Sequence, residues 1–297
     1  MNKTVAIVVT YNRKELLQEC LDRLMCSELP CDILLVDNNS TDGTKNLIAK
    51  SYKDKITYYN TGENIGGAGG FNFGLRKAYE LGYQYFWLMD DDTMVRPDSL
   101  TELFRCDRAL KGNYGFLSSH AQWIDGSRCV MNYHSVADDW QDKSDYLKKH
   151  ILKISFATFV SFFTKRDVVE NVGLPIKEYF IWGDDTEYSG RISRKYDCYY
   201  CFDSVVIHKM KENQGSNAFS DMKDVNRIYR MKLSVRNDLC TARKTSTKQA
   251  IKCIYGDLRV LLKCLLTKKC EYRWKKVKVL ICGIGQGLLF NPIIEKV

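Results

Sequence analysis

Short apolar runs alternate with amphipathic stretches through the first ninety or so residues, and this alternation limits the fold more than any other feature of the chain. KELLQECLDRLMC and the stretch from Phe71 to Leu81 repeat their apolar residues at helical spacing, which predicts two helices. A further short helix is predicted after NNSTDGT, which supplies turn and N-cap residues. Strands that alternate with helices predict an α/β fold with a mainly parallel central sheet flanked by helices. The predicted strands are Val5–Val9, Ile33–Asp37, Ile56–Asn60 and the segment YFWLMD.

Polar residues follow three of these predicted strands at the point where each strand ends. Ligands of open parallel sheets bind at the carboxyl ends of the strands, so the clusters predict a binding edge. Each cluster by itself also fits ordinary turn chemistry, and that alternative stays open for any single one. The residues are Thr10, Tyr11, Asn12 and Arg13 after the first strand, Asp37 and Asn38 after the second, and Asp90, Asp91 and Asp92 after the fourth.

The carboxylate triplet Asp90–Asp92 closes an aromatic segment that is typical of a buried strand. Adjacent carboxylates repel one another and resist desolvation. We therefore expect a cation or several hydrogen-bond donors beside them.

A glycine-rich segment, NIGGAGGFNFG, runs from Asn64 to Gly74 and leads into the helix predicted at Phe71 to Leu81. Asn72 stands at the third glycine position of a dinucleotide-binding fingerprint, and the segment lacks the ending of a P-loop. Glycines at a helix start let a ligand approach the backbone closely, whereas a plain loop or an ordinary helix start is the alternative.

Composition sets the class of protein. The 297 residues are 45% apolar, which predicts a packed fold of one large domain with an extension. The twelve cysteines are irregularly scattered, and the first residues carry no signal-peptide core, so we expect reduced thiols and a cytoplasmic protein. The net charge of +9 is concentrated in residues 241–297, which carry 13 Lys and Arg against 3 Asp and Glu.

Five ordered motifs resemble the inverting family 2 glycosyltransferases, which have the Rossmann-like GT-A fold. They are VVTYNR, LLVDNNSTDGT, NIGGAGGFNFG, LMDDD, and WGDDTEY followed by a strand that ends in His208. The combination is most similar to galactofuranosyltransferases that use UDP-galactofuranose. Rhamnosyltransferases that use dTDP-rhamnose share much of the pattern.

This resemblance implies roles for the strand-end residues. Asp90 and Asp92 correspond to the DxD pair that engages a divalent metal, and His208 corresponds to a further ligand. Oxygen ligands suit Mg²⁺ or Mn²⁺, and the imidazole favours Mn²⁺. The implied nucleotide-sugar contacts are Thr10, Arg13, Asp37, Asn38, Asn64, Asp90 and Asp91.

The segment WGDDTEY carries the implied catalytic group. Asp185 corresponds to the general base, while Asp184, Trp182 and Glu187 are expected to contact the acceptor or to support the base. Acidic residues in the first turn of an ordinary helix are the alternative explanation. Gly183 departs from the family pattern because it separates Trp182 from Asp184, and the residues at Val160–Phe163 replace an upstream aromatic pair.

The function expected from the resemblance is metal-dependent, inverting transfer of a hexose from a nucleotide diphosphate to a sugar hydroxyl of a cell-surface glycan precursor. A nucleotidyltransferase is an alternative, although no basic glycine-rich triphosphate loop follows the first strand. A non-catalytic protein that binds nucleotide sugars is another, and it would have no need of Asp185. We expect no nucleic-acid partner.

The basic C-terminal region predicts a second part of the molecule, so that residues 1–222 form the catalytic domain and 223–297 a helical extension. Apolar residues from Ile251 to Leu265 share a helical face, and lysines and arginines accompany them. We expect these helices to lie on the anionic inner face of the plasma membrane, beside a lipid-linked acceptor. The alternative is packing on the catalytic domain or on a second subunit in a homo-oligomer. The apolar run from Val277 to Phe290 is too short to span a bilayer.

Overall fold

The computed structural model describes residues 3–213 and 219–297. Its described residues form a ten-stranded sheet, helices on both sides of the sheet and a group of C-terminal helices. The strands are β1 Thr4–Thr10, β2 Asp32–Asp37, β3 Thr57–Asn60, β4 Tyr85–Asp90, β5 Thr93–Val95, β6 Phe116–Gln122, β7 Ser135–Val136, β8 Ile151–Phe156, β9 Phe162–Lys165 and β10 Cys198–His208. The α-helices are α1 Lys14–Met25, α2 Thr44–Ser51, α3 Gly66–Glu80, α4 Ser99–Ala109, α5 Arg166–Val172, α6 Asp184–Ser193, α7 Val225–Thr245, α8 Thr247–Leu266 and α9 Arg273–Leu289.

The sheet has the strand order β3-β2-β1-β4-β9-β6-β10-β8-β7, and β5 pairs with β10 outside this path. The pairs among β3, β2, β1 and β4 are parallel, as is the β6–β10 pair. β9 is antiparallel to both of its neighbours. The α/β class with a mainly parallel central sheet and the predicted N-terminal strands are therefore confirmed, with strand ends that differ by a residue or two.

Two apolar cores lie on the two faces of the sheet because successive side chains of a buried strand point in opposite directions. On β1, Ala6 and Val8 belong to one core, and Val5, Ile7 and Val9 belong to the other. This double burial explains why β1 reads as a continuous apolar run rather than as an alternating pattern.

The glycine-rich segment belongs to helix α3 itself, which begins at Gly66 rather than at Phe71. A Cβ added to Gly70 would lie 2.5 Å from Val9, and one added to Gly74 would lie 2.6 Å from Ile7. These glycines therefore let α3 approach β1 more closely than any larger residue would allow. A close approach between helix and strand explains them without a ligand, in agreement with the alternative of a helix start, and the helix begins five residues earlier than predicted.

Contacts divide the described chain into two compact units. The first contains residues 3–177, 185–213 and 294–297, and the second contains 178–184 and 219–293. The sequence-based boundary at residue 222 stays a prediction about separable domains.

In the second unit, α7, α8 and α9 pack on one another around a core of their own that includes Ile228, Val235, Cys264 and Leu280. None of the helices in the described ranges is long and apolar enough to cross a membrane. All twelve cysteines are free thiols, in agreement with the scatter of their positions.

Candidate active site

The polar residues predicted to follow β1, β2 and β4 lie at one edge of the sheet. The register pairs Thr10 with Asp37 and Val9 with Asp90, so the three strands end side by side. A cavity of about 540 Å³ lies instead where β1 and β2 begin, and Lys3 and Asp32 are among its lining residues. Strand direction therefore identifies the candidate site better than cavity volume does.

Thr10, the last residue of β1, and Arg13, just after it, hold two carboxylates of the triplet in place. The hydroxyl of Thr10 donates to Asp91 Oδ2 over 2.7 Å. Arg13 Nη1 lies 3.1 Å from Asp91 Oδ1 and 2.7 Å from Asp92 Oδ2, while half of the Arg13 side chain stays exposed. One guanidinium thus offsets part of the charge on two buried carboxylates, which answers the need for donors beside them.

The pairing of β5 with β10 brings His208 to the same place. His208 pairs with Thr93, the residue after the triplet, and the backbone N–H of Lys209 donates to the carbonyl of Asp92. His208 Nε2 lies 3.1 Å from Asp92 Oδ1. Among residues 3–213 and 219–297 no aligned hydrogen bond reaches Asp92 Oδ1, so this contact is an ion pair without good hydrogen-bond geometry.

Asn132 binds the other ring nitrogen of His208, and this role was not predicted from the sequence. His208 Nδ1 donates to Asn132 Oδ1 over 2.7 Å, and Asn132 Nδ2 donates to Thr158 Oγ1 over 2.7 Å. Because Thr158 takes the amide N–H, the oxygen of Asn132 faces the imidazole. Asn132 and Thr158 lie in connecting segments, where no periodicity marks them.

The pKa values of this cluster show how incompletely its charge is balanced. Burial, followed by repulsion from Asp92 and Asp91, raises the pKa of Asp90 to about 7. Burial also raises the pKa of Asp91 to about 6, although Arg13 opposes the shift. Burial by itself would lower the pKa of His208, but contact with Asp92 outweighs it and raises the pKa to about 10. A further cation near Asp90 would relieve this repulsion.

The donors fit a hard divalent cation in type. Two carboxylates and an imidazole whose second nitrogen is held by a hydrogen bond are ligands that Mn²⁺ or Mg²⁺ accepts. In the described part of the chain, however, no three acidic, histidine or cysteine side chains already converge in the geometry of a metal site. Asp92 and His208 are adjacent, and Asp90 lies near enough for its charge to act on both.

The two polar residues at the end of β2 differ in their hydrogen bonds. Asp37 is fully buried and its oxygens accept from Ser40, Tyr58 and Asn60. Asn38 donates to the carbonyl of Gly66, but its buried Oδ1 has no partner within the described ranges. Asn38 therefore has an acceptor without a partner among the described residues, whereas the oxygens of Asp37 are engaged within the protein, and the predicted contact of Asp37 with a nucleotide sugar stays a prediction.

Asn64 is exposed just before α3. Its Oδ1 accepts from the backbone N–H of Gly66 over 2.9 Å. This bond satisfies one of the donors that a helix start leaves without an intrahelical partner.

Helix α6 begins at Asp184 after a backbone of unusual conformation. Phe180, Trp182 and Gly183 have φ values of 65°, 64° and 83°, in the left-handed region that non-glycine residues rarely adopt. The amide of Asn237 lies within hydrogen-bond distance of the carbonyls of Tyr179, Ile181 and Trp182. Strain of this kind persists where surrounding bonds enforce it, and it is common at active sites.

Gly183 fits this turn because it has no Cβ, which explains the extra residue before Asp184. Arg230 lies over the ring of Trp182, 5.7 Å from its centroid. Asn237 is a second supporting residue whose role was not predicted from the sequence.

Asp185 is partly exposed, and its Oδ1 accepts from the backbone N–H and hydroxyl of Thr186 at 2.7 and 3.3 Å. Burial raises its pKa to about 6, and the bonds from Thr186 oppose that shift. A carboxylate with such a pKa is ionised at neutral pH and can accept a proton.

Glu187 is buried in an ion pair with Arg191. It is 2% exposed, and Arg191 donates to both of its oxygens, each over 2.8 Å. Arg191 Nη2 also donates to the carbonyl of Leu174. Arg191 thus links Glu187 on α6 to the segment after α5, and the expected role of Glu187 beside the acceptor or the base stays a prediction.

A family model described as Glycosyl transferase family 2 matches residues 5–173, more than half of the chain. Galactofuranosyltransferase GlfT1 of Mycolicibacterium smegmatis is 27% identical over 197 residues, which cover 64% of this chain and 65% of that protein. The match thus spans slightly less than two thirds of the relative's length.

Solved structures share the fold. The mannosyltransferase PcManGT from Pyrobaculum calidifontis, in complex with GDP-Man and Mn²⁺, has a TM-score of 0.55 at 17% identity, with 96% of this chain and 87% of that chain covered. Residues 1–349 of TarS from S. aureus have a TM-score of 0.57 at 14% identity, with 97% and 91% covered. At these identities the likeness concerns the fold alone.

Proposed function

The chain belongs to the family 2 glycosyltransferases, and from that premise we propose that it transfers a hexose from a nucleotide diphosphate to a hydroxyl group of a glycan acceptor. The observation that carries this proposal is the carboxylate triplet at the end of β4, in which Asp91 and Asp92 are buried, Arg13 and His208 contact Asp92, and the charge of Asp90 is only partly balanced. A site of this kind suits a diphosphate bound together with a divalent cation.

The proposed donor is UDP-galactofuranose. Its support is the similarity to galactofuranosyltransferase GlfT1 over 64% of this chain. dTDP-rhamnose is the alternative donor, because the two groups of enzymes share the same ordered motifs.

Asp90, Asp92 and His208 would hold Mn²⁺ or Mg²⁺, which supplies positive charge to the departing diphosphate. Asp92 Oδ1 and His208 Nε2 already face each other, and the bond from His208 Nδ1 to Asn132 leaves Nε2 as the nitrogen for a ligand. Second partners of this type commonly orient metal-binding histidines.

The residues around the triplet would bind the nucleotide sugar. Arg13 is half exposed and can reach a diphosphate while it keeps its contact with Asp92. The free Oδ1 of Asn38 can accept a hydrogen bond from the ligand. Thr10, Asp91, Asp37 and Asn64 would act by holding this edge of the sheet in shape.

Asp185 would take the proton of the acceptor hydroxyl while that oxygen attacks the anomeric carbon from the face opposite the diphosphate. The single displacement inverts the configuration. Asp184 and Trp182, on the strained segment before it, would bind the acceptor, so that Asp184→Asn raises the acceptor KM. Adjacent residues at a helix start diverge by about 100°, so that one of the two carboxylates acts as the base.

The proposed acceptor is a glycan or a lipid-linked glycan, and the proposed location is cytoplasmic, at the inner face of the plasma membrane. The excess of Lys and Arg in residues 241–297 supports contact with that anionic surface. Association of copies into a homo-oligomer through the same helices is a second proposal.

The test is incubation of the full chain and Mn²⁺ with a panel of nucleotide sugars, followed by measurement of slow donor hydrolysis and of transfer to candidate acceptors. We expect UDP-galactofuranose to be consumed faster than dTDP-rhamnose, and NMR of the product to show inverted configuration. Release of pyrophosphate from a nucleoside triphosphate would support a nucleotidyltransferase instead. Tight binding of a sugar nucleotide without turnover would support a binding protein.

A further inference from the structure

Helix α8 has two apolar faces, and one of them is covered by its neighbours. Val260, Leu261, Cys264 and Leu265 pack against the core that α7 and α9 supply. Cys264 is fully buried there. Packing on α7 and α9 therefore accounts for one face, whereas the alternative predicted from the sequence was packing on the catalytic domain or on a second subunit.

The second face is an exposed stripe of five large apolar residues, which we call the α8 stripe. Their spacing of four, three, four and four residues keeps them within about 80° of one another, along about 22 Å of the helix axis. Each is between 46% and 79% exposed. Single exposed apolar residues are common, but a continuous row marks an interaction surface. The stripe consists of Ile251, Tyr255, Leu258, Leu262 and Leu266.

A row of positive charge, the α8 basic row, runs along one flank of this stripe. At 100° per residue its four members lie about 70° further round the helix than the stripe. All four are exposed, and the guanidinium of Arg259 lies 5.9 Å from the ring centroid of Tyr255 in the stripe. The row consists of Lys248, Lys252, Arg259 and Lys263.

Charge selects the partner for this surface. The sequence of α8 contains one acidic residue, Asp257, which falls on the packed side of the helix by the same geometry and is only partly exposed. An apolar stripe beside an uncompensated basic row matches the boundary between acyl chains and anionic headgroups. A second copy of the chain fits less well, because it would bring the same positive charge to the contact.

We propose that the α8 stripe inserts at the surface of an anionic lipid bilayer while the α8 basic row contacts lipid phosphates. The inference rests on the proposed membrane-side location and names the surface responsible for it. The packed face keeps α8 bound to α7 and α9, so the helix presents the stripe as a fixed surface and does not need to fold on the bilayer.

The test compares sedimentation of the full chain with vesicles of phosphatidylcholine alone and of phosphatidylcholine mixed with phosphatidylglycerol. We expect preference for the anionic vesicles and weaker binding in high salt. Leu258→Ser with Leu262→Ser removes the centre of the stripe, and Lys252→Gln with Lys263→Gln removes half of the row. Each double variant should lower anionic-vesicle affinity about tenfold or more.

The matched control is Lys45→Gln with Lys50→Gln on α2, which removes the same exposed charge and should bind as the unmodified chain does. Equal affinity for both kinds of vesicle, or unchanged binding of both α8 variants, would overturn the proposal. Dimerisation that the stripe variant abolishes, without vesicle binding, would assign the surface to a second copy.

Donor hydrolysis without vesicles should be the same in all variants. Failure of the proposed transferase reaction is therefore seen separately from failure of lipid binding. Thermal unfolding of each variant checks that the substitutions on the exposed surface leave the fold intact.

Discussion

Asp91 and Asp92 at the end of β4 are contacted by Thr10, Arg13 and His208, whereas Asp185 at the start of α6 accepts from Thr186 and has no cationic partner in the described part of the chain. In the first arrangement Arg13 and His208 place positive charge beside the carboxylates, and Arg13 opposes the rise that burial causes in the pKa of Asp91. The second leaves a carboxylate partly desolvated with a pKa of about 6. The difference matches two tasks, since a proton acceptor must not be neutralised by a permanent ion pair.

Substitution of a proposed metal ligand should have the largest effect on transfer. We expect Asp92→Ala or His208→Ala to lower transfer by about 10³-fold or more, because each deletes a proposed ligand of the metal. Turnover assays and calorimetric titration of UDP with and without Mn²⁺ measure this loss. His150→Ala, an exposed histidine paired with Asp203, is the control and should behave normally. Full activity in EDTA would contradict the metal assignment.

Asp185→Asn tests the carboxylate that has no cationic partner in the described part of the chain. The amide keeps the shape of the carboxylate but cannot take a proton, so turnover should fall by about 10²- to 10⁴-fold. UDP and Mn²⁺ affinity, measured by the same titrations, should stay near the value of the unmodified chain. Near-normal turnover in this variant, or retained configuration in the product, would refute both the base assignment and the single displacement.

Asn132→Leu should weaken Mn²⁺ binding by about 10- to 100-fold, because His208 loses the acceptor that orients its ring. Asn132→Asp restores an acceptor at the same place and should recover most of the affinity. Titration of Mn²⁺ by electron paramagnetic resonance measures both. Equal loss in the two variants would indicate a general structural role for this residue.

The smallest effect should be a pH dependence that belongs to Asp185. Its raised pKa means that the carboxylate is ionised and active above about pH 6 and is protonated below it. At saturating Mn²⁺, kcat should therefore fall about tenfold for each unit of pH below that value. The residual activity of Asp185→Asn should lose this limb of the profile. A limb that survives the substitution would assign the titration to another group.

The parts of the fold that were predictable are those that depend on local periodicity. β1, β2 and β4 are apolar runs closed by polar residues, so both their existence and their common edge follow from the sequence. The start of α3 was misplaced because glycine opposes helix formation locally, while packing against β1 favours it.

The supporting residues of the site could not be predicted because their partners are far away in the chain. Asn132 bonds a histidine 76 residues later, and Asn237 bonds carbonyls more than 50 residues earlier. The ion pair of Glu187 with Arg191 was not predicted either, because an acidic residue in a motif looks the same whether it meets a ligand or an arginine. Pairings between distant segments decide such roles.

The chain passes between the two compact units four times, after residues 177, 184, 213 and 293. Its last passage returns residues 294–297 to the sheet-containing unit, where Glu295 contacts Asn72, Arg76 and Lys177. A protease that cut the polypeptide once near residue 213 would therefore leave fragments that each contribute residues to both units. We expect the nicked protein to elute as one particle in gel filtration and to separate only in denaturant.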